Sequence, residues 1–285
     1  MTADFKKIGI IAGGGNLPTT IVDACRQDKT PYHVLAIDGA ASPDWLTEHP
    51  HSFIQLGTLK ATISILENES CDAVMMVGNV VRPNFKNLKV DMLGARLLPQ
   101  IALAARKGDD ALLRFLVAQF EKFGFKVIGA DDVMLSLVVG EGCLTQKEPS
   151  EQNRSDIDKA FEVVRTLGAL DIGQAAAVCR GLVLAVEAAE GTDAMLARCA
   201  ALPPELLGTP DARDGVLVKA KKPSQERRTD LPVIGVETVR RAAEAGLAGI
   251  AVEAGNALAL DREKLVSTAD DLGLFVIGYA LGQTA

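Results

Sequence analysis

The densest group of chemistry-bearing side chains lies between residues 219 and 232. Lys219, Lys221 and Lys222 precede Pro223, Gln225, Glu226, Arg227 and Arg228, and the run closes on Asp230-Leu231-Pro232. Cations interleaved with carboxylates suit chemistry on a phosphate. The cations neutralise phosphoryl oxygens, while a carboxylate holds Mg²⁺ or orients water. Pro232 biases Leu231 towards extended geometry, and Gly235 leads the chain into a helix. The run also reads as a charged surface loop, the usual fate of such segments. Its flanks, an apolar strand before it and a helix after it, weigh towards a site.

Further segments place polar groups where a sheet would present them. Gly13-Gly14-Gly15-Asn16-Leu17-Pro18 follows a short β-branched run and opens a helix. Backbone N–H groups at such a turn can approach a phosphate, the helix dipole favours negative charge, and the glycines admit close contact. The spacing is not G-x-G-x-x-G and no Walker lysine follows, so a nicotinamide site is weakly supported and a turn without a ligand fits equally. Gly78-Asn79-Val80-Val81-Arg82-Pro83 ends a third strand. Asn79 and Arg82 suit an anion or a sugar hydroxyl there, because open α/β sheets bind ligands beyond the carboxyl ends of their strands. An ordinary solvated loop fits that segment as well. Arg106-Lys107-Gly108-Asp109-Asp110 reads as a phosphate-and-metal corner or as an Asp-capped helix start. Asp171-Ile172-Gly173-Gln174 and Glu190-Gly191-Thr192-Asp193 bracket a hairpin and add polar groups at loop ends, with Thr192 also reading as an N-cap. Glu187, Glu253 and Asp261 stand at strand or turn ends too, and spacing does not tell which of them share a site.

Other chemistries are disfavoured. His33, His49 and His51 are the only histidines, with no H-E-x-x-H motif and no zinc-spaced His/Cys cluster. Any metal is expected to be a hard cation on carboxylates, phosphates and water. Cys25, Cys71, Cys143, Cys179 and Cys199 lack C-x-x-C spacing, which fits buried thiols in a reducing compartment. The chain has 285 residues, 48% apolar and 24% charged, so it is globular and long enough for two domains. Its net charge of −7 argues against broad binding to nucleic acid. No uncharged apolar run is long enough to span a membrane, and no signal-peptide core is present, so a cytosolic protein is expected. No basic amphipathic helix of the membrane-surface type stands out.

The elements that must position these groups follow from periodicity. Strands are predicted at 7–12, 32–37, 72–77 and 126–129, and helices at 17–26, 58–67 (opened by a Thr58 cap) and 109–123. This alternation predicts a parallel sheet with crossover helices. The polar, Pro-containing stretch 146–155 reads as a linker between domains 1–145 and 156–285. Beyond it, a helix at 156–167 precedes hairpin strands at 175–179 and 182–186 around Arg180-Gly181. A short helix after Thr192, a strand at 216–219, a helix at 236–245 and strands at 249–253 and 257–260 come next. A helix at 262–272 and a strand at 275–278 close the chain. No repeat is visible, and two different α/β domains are the simplest reading.

Taken jointly, these segments resemble one family. GIIAGGGNLP at the start, GNVVRP at 78–83 and RKGDDALLR at 106–114 resemble the amino-terminal domain of LpxI-type UDP-2,3-diacylglucosamine pyrophosphatases. DIGQAAAVCRGLVLAVEAAEGTDAML (171–196), KKPSQERRTDLPVIG (221–235) and AGLAGIAVEAGNALALDRE (245–263) resemble its carboxy-terminal domain, in the same order over nearly the whole chain. The resemblance implies a Rossmann-like domain followed by a second α/β domain, with the ligand between them. It implies hydrolysis, with Mg²⁺ or Mn²⁺, of UDP-2,3-diacylglucosamine to 2,3-diacylglucosamine 1-phosphate (lipid X) and UMP. That step belongs to lipid A biosynthesis at the cytoplasmic face of the inner membrane, where peripheral contact and a homodimer are expected.

The family's R-x-D-x-P segment, which carries its catalytic acid, is matched by Arg228, Asp230 and Pro232. Asp230 is thereby the expected metal ligand or water-positioning group. Gln225-Glu226 stands where many members have Gln-Asp, keeping the carboxylate and lengthening it. By the same resemblance Gly14, Asn79 and Thr192 touch the ligand. The residues read by themselves agree: Gly13 and Gly14, Arg82, Lys107, Lys219 and Arg228 offer donors for a pyrophosphate. Gln174 and Gln225 add polar groups, and Asp230 and Glu226 offer acids that need no histidine. Two other classes stay open on the residues alone, a nicotinamide-dependent oxidoreductase and a non-catalytic carrier of a nucleotide or lipid.

Overall fold

The computed structural model describes residues 5–81, 83–84, 88–209, 211–223 and 225–280. The chain divides into two compact units, Met1–Leu135 together with Glu226–Asp230, and Ser136–Gln225 together with Leu231–Ala285.

Unit 1 is a parallel α/β layer. Its strands are β1 (Ile8–Ala12), β2 (Tyr32–Ile37), β3 (His51–Ile54), β4 (Ala73–Val77) and β5 (Lys126–Val127), in the order β3-β2-β1-β4-β5. Every pairing is parallel. β1 is buried along its whole length, as expected of a central parallel strand covered on both faces. Helices α1 (Leu17–Gln27), α2 (Leu59–Asn68), α3 (Met92–Arg106), α4 (Asp109–Lys122) and α5 (Ala130–Val133) connect them. Ile11, Leu35, Ile37 and Val74 of the strands pack with Ile63 and Leu66 of α2 and Val117 and Phe120 of α4. Strand order reverses between β1 and β4, so their carboxyl ends form the switch point where such sheets hold ligands.

Two elements of this unit differ from expectation at their starts. Thr58 holds the N-cap position of α2, yet its hydroxyl donates to the Gln55 carbonyl. The side chain serving that helix start is Asp91, which accepts from the Ala61 N–H (3.1 Å) and from the Gly94 N–H of α3 (2.7 Å). One carboxylate therefore ties the first turns of two helices. At α4 the N-cap is Gly108, with Asp109 and Asp110 in the first turn, where negative charge suits the dipole.

Unit 2 is a mixed sheet in the order β6-β13-β11-β9-β7-β8, with a separate parallel pair, β10-β12. The elements are β6 (Gly142–Cys143), α6 (Glu151–Ala169), β7 (Ala175–Cys179), β8 (Leu182–Val186), α7 (Gly191–Ala200), β9 (Val216–Lys219), β10 (Val233–Ile234), α8 (Val236–Glu244), β11 (Gly249–Glu253), β12 (Leu258–Ala259), α9 (Arg262–Asp271) and β13 (Phe275–Tyr279). Alternation along the strands builds two cores. Ala175, Ala177, Leu217, Ile250, Val252 and Val276 meet α7, α8 and α9 through Leu196, Val239 and Leu265. Ala176, Val178, Val216, Val218, Ala251 and Phe275 meet α6 through Ile157, Phe161 and Val164 on the other face. Burying the Phe275 ring contributes roughly 1.5–3 kcal/mol. A Cβ on Gly249 would run into that ring.

The stretch expected as a linker, 146–155, is partly helix. Ser150 and Asn153 form a reciprocal capping box, with Asn153 N–H donating to Ser150 Oγ (3.2 Å) and Ser150 N–H to Asn153 Oδ1 (3.1 Å). The polar residues there start α6. β6 also pairs with β13, so residues 142–143 belong to the second sheet.

Candidate functional site

At the switch point the two loops are joined through backbone. Gly14 N–H donates to the Asn79 carbonyl and Asn79 N–H to the Gly14 carbonyl, both at 2.8 Å, and Gly13 N–H donates to the Val77 carbonyl (2.8 Å). The fit demands glycine. A Cβ on Gly13 would stand 2.6 Å from Asn79 O, and Gly78 (φ +90°) would place one 2.6 Å from Gly14 O. The amides of Gly13 and Gly14, expected as phosphate donors, are thus already committed to carbonyls. These two residues contribute close approach at the mouth of α1, and Asn79 is exposed beside them. Arg82 lies outside the described residues. His33 lies near the amino end of β2, while His49 and His51 lie just before and at the start of β3, all at the opposite edge of the sheet. They bond Ser52, Tyr32 and the His49 carbonyl, at 2.9 Å each.

The segment Glu226–Asp230 belongs to unit 1 and is pinned there at several points. Its first amide, Glu226 N–H, donates to the buried Asp110 Oδ1 (2.9 Å), and Asp110 pairs with Arg114 (3.0 Å). Arg227 pairs with Asp131 (2.9 Å). Arg228 donates from Nε and Nη2 to the two Glu226 oxygens (2.9 and 3.0 Å) and from Nη1 to Glu121 (2.7 Å). The Glu226 carbonyl accepts from Thr229 N–H and Asp230 N–H (3.1 Å each), closing a tight turn that holds Asp230 half-buried. Gly129 permits this fit, since a Cβ there would come 3.2 Å from Arg228 Cα. The first turn of α4 therefore anchors the loop through Asp110. Lys107 is exposed at the C-cap of α3, just ahead of that turn.

The Arg228 guanidinium beside Glu226 holds its carboxyl below the ordinary value of 4.5. A folded value below the unfolded one means the ionised pair stabilises the protein above pH about 4.5, and that stability is lost as pH falls through the folded value. Glu226→Gln is accordingly expected to lower the urea midpoint at pH 7. At pH ~3 the difference from the parent protein should narrow; an equal gap at both would rule out the ionic contribution.

In unit 2 two of the expected residues, Gln174 and Thr192, meet on Glu187, and Gln225 joins them through Gln174. Glu187 is buried after β8 and accepts from the Gln174 N–H (Oε2, 3.0 Å) and from the Thr192 hydroxyl (Oε1, 2.7 Å). Gln225 Nε2 donates to Gln174 Oε1 (3.3 Å), and Gln225 Oε1 accepts from Lys222 N–H (2.8 Å). Lys219 lies across from Ala175, whose carbonyl accepts from Glu187 N–H, and its ammonium donates to the Val233 carbonyl (2.9 Å). Gly173 makes this possible, because a Cβ there would collide with the Glu187 backbone. Thr192 is therefore not a helix cap. It lies inside the first turn of α7, with Glu190 at the N-cap position. Of the neighbouring cations, Lys222 pairs with Asp171 at 2.6 Å. Glu187→Ala leaves two donors without their buried acceptor and should cost about 2–3 kcal/mol, read from chemical unfolding; a loss under ~0.5 kcal/mol would contradict this arrangement.

Three of the buried cysteines are poor nucleophiles. Burial pushes the thiols of Cys25, Cys71 and Cys199 up to about 11, away from the thiolate that a nucleophile requires.

Comparison with known proteins decides the family. Residues 7–137 match the LpxI N-terminal domain and residues 140–277 the LpxI C-terminal domain. UDP-2,3-diacylglucosamine pyrophosphatase LpxI of Caulobacter vibrioides is 49% identical over 274 residues, covering 96% of this chain and 98% of that protein. The chain belongs to the LpxI family. Among solved structures, N5-carboxyaminoimidazole synthetase from Staphylococcus aureus aligns over 68% of this chain and 43% of its own at 18% identity. Its TM-score of 0.21 gives that likeness no weight.

Within this LpxI chain the donor set for a divalent cation is small. Among the described residues no group of three or more His, Cys, Asp or Glu side chains is placed to hold a metal. Glu226 has both oxygens on Arg228. A Mg²⁺ or Mn²⁺ ion here would take most of its ligands from phosphate oxygens and water, the usual manner for Mg²⁺.

Proposed function

We propose that this chain hydrolyses the pyrophosphate of UDP-2,3-diacylglucosamine to 2,3-diacylglucosamine 1-phosphate and UMP, a step of lipid A biosynthesis. The observation that carries the reading is the pinned turn Glu226–Asp230. Three neighbours outside the turn, Asp110, Asp131 and Glu121, hold it in place beside the acid of the R-x-D-x-P segment, and the relative that is 49% identical over nearly its whole length bears this activity in its name.

Each residue has a task. Asp230 holds the divalent cation or orients the attacking water, and its backbone bond to Glu226 fixes where the carboxyl starts from. The cation, when bound, neutralises phosphoryl oxygens and polarises the phosphorus. Arg228 keeps its charge through Glu226 and Glu121 and adds it to the phosphoryl group in flight. Glu226 orients that guanidinium, so its longer side chain is suited to a fork-on-fork pair. Gly13, Gly14 and Asn79 give a ligand access to the switch point, with Arg82 and Lys107 as further cations. Gln174 and Thr192, set by Glu187, together with Gln225 and Lys219, bind polar parts of the substrate.

UMP release with Mg²⁺, with Mn²⁺ and with a chelator tests the proposal. Release that depends on either cation is expected; release of UDP, or equal rates in chelator, would refute it.

A further inference from the structure

Helix α3 exposes what its composition would bury. Of its residues only Gly94, Leu97 and Ala105 are buried, on the side that packs against α2 and α4. The opposite stripe runs through Met92, Arg96, Pro99 and Leu103, spaced i, i+4, i+7, i+11, and ends at Arg106. Met92 is 84% exposed and Leu103 58%. Two further apolar side chains are open nearby in sequence, Val81 at 90% and Val90 at 37% exposed.

Charge tells what this stripe suits. Lys89, Arg96, Arg106 and Lys107 are all exposed between residues 88 and 108. The one acid in that stretch, Asp91, is engaged by the amides of Ala61 and Gly94. A local excess of cations on a chain of net charge −7 matches an anionic surface that would repel the rest of the molecule. A second copy fits poorly, because a self-complementary pairing sets arginines against arginines. Among the described residues no helix is long and apolar enough to cross a membrane, so contact along one helix face is the mode this geometry offers.

We infer that the outer stripe of α3 docks on an anionic phospholipid bilayer. Met92, Pro99 and Leu103 enter below the headgroups, and Arg96 and Arg106 meet the phosphates. This deepens the proposed function, since a substrate with two acyl chains resides in such a bilayer, but it is tested without substrate.

The full chain is floated with vesicles of phosphatidylcholine alone or mixed with phosphatidylglycerol. Flotation is expected only with phosphatidylglycerol, weakening as salt is raised. Leu103→Glu and Arg96→Glu should each lower the bound fraction about tenfold or more, and Arg96→Lys should restore it. Hydrolysis of detergent-dispersed UDP-2,3-diacylglucosamine should be unchanged in all three. Absence of flotation by the parent chain, equal flotation by the variants, or loss of a dimer in the variants without any vesicle effect would overturn the inference. A chain that floats and hydrolyses nothing would refute the activity and leave the docking surface standing.

Discussion

Asp230→Asn should lower UMP release by about 10³-fold with little change in the affinity for substrate. The amide keeps the shape of the carboxyl and the backbone bonds that close the turn, so the fold of the loop survives. What it removes is the negative charge that a divalent cation or a polarised water needs. Initial rates at saturating substrate, together with a dissociation constant from equilibrium titration, separate the two effects. A rate within a factor of ~3 of the parent would take Asp230 out of the reaction. Arg228→Lys makes a useful companion, because a lysine retains the charge but cannot bond both Glu226 oxygens in parallel.

Gly78→Val should unfold or loosen unit 1 at its ligand edge. The residue has φ +90°, and its Cβ would lie 2.6 Å from Gly14 O and 2.8 Å from Pro18 Cγ. A β-branched side chain in that region is strained, and the paired loops would have to separate. Together these should cost about 3–5 kcal/mol, with ligand binding lost even where the protein stays folded. Chemical unfolding measures the first and titration the second. Stability within ~1 kcal/mol of the parent would contradict the paired-loop geometry.

Much of the fold was legible because its strands are unbroken apolar runs between turn residues. β2, β7, β8, β9 and β11 occupy the expected positions. The hairpin of β7 and β8 turns on Arg180 and Gly181, both at positive φ, as tight hairpins require. β3 escaped because His51 and Ser52 interrupt its apolar character at a sheet edge. α3 escaped for a different reason. Gly94 and Pro99 break its sequence signature, and apolar residues on every side leave no period to read. That same composition is what makes its exposure informative.

The site was legible in pieces. Glu226 and Arg228 were legible as candidates, but their pairing depends on the tight turn that the Glu226 carbonyl closes, which spacing does not encode. Gln174, Thr192 and Gln225 were each recognisable as polar groups at loop ends, but the residue joining the first two, Glu187, looked like one acid among several. Its place depends on the β7–β8 register, including the irregularity between Ala177 and Val178, which no local pattern encodes. Its signal was alternation: Ala185 faces the helices α7 to α9, and Glu187 continues that inward phase. Asp110 was visible as a first-turn acid, whereas its bond to Glu226 spans 116 residues and belongs to tertiary structure.

The most direct test of the proposed reaction is hydrolysis of UDP-2,3-diacylglucosamine in ¹⁸O-labelled water, with both products weighed by mass spectrometry. Water cleaving the P–O–P bridge puts its oxygen on one of the two new phosphates. The reading predicts equimolar UMP and lipid X, with one ¹⁸O atom in one of them and none in the other. Substrate that binds and stays intact, or that leaves as UDP and a sugar, would contradict it.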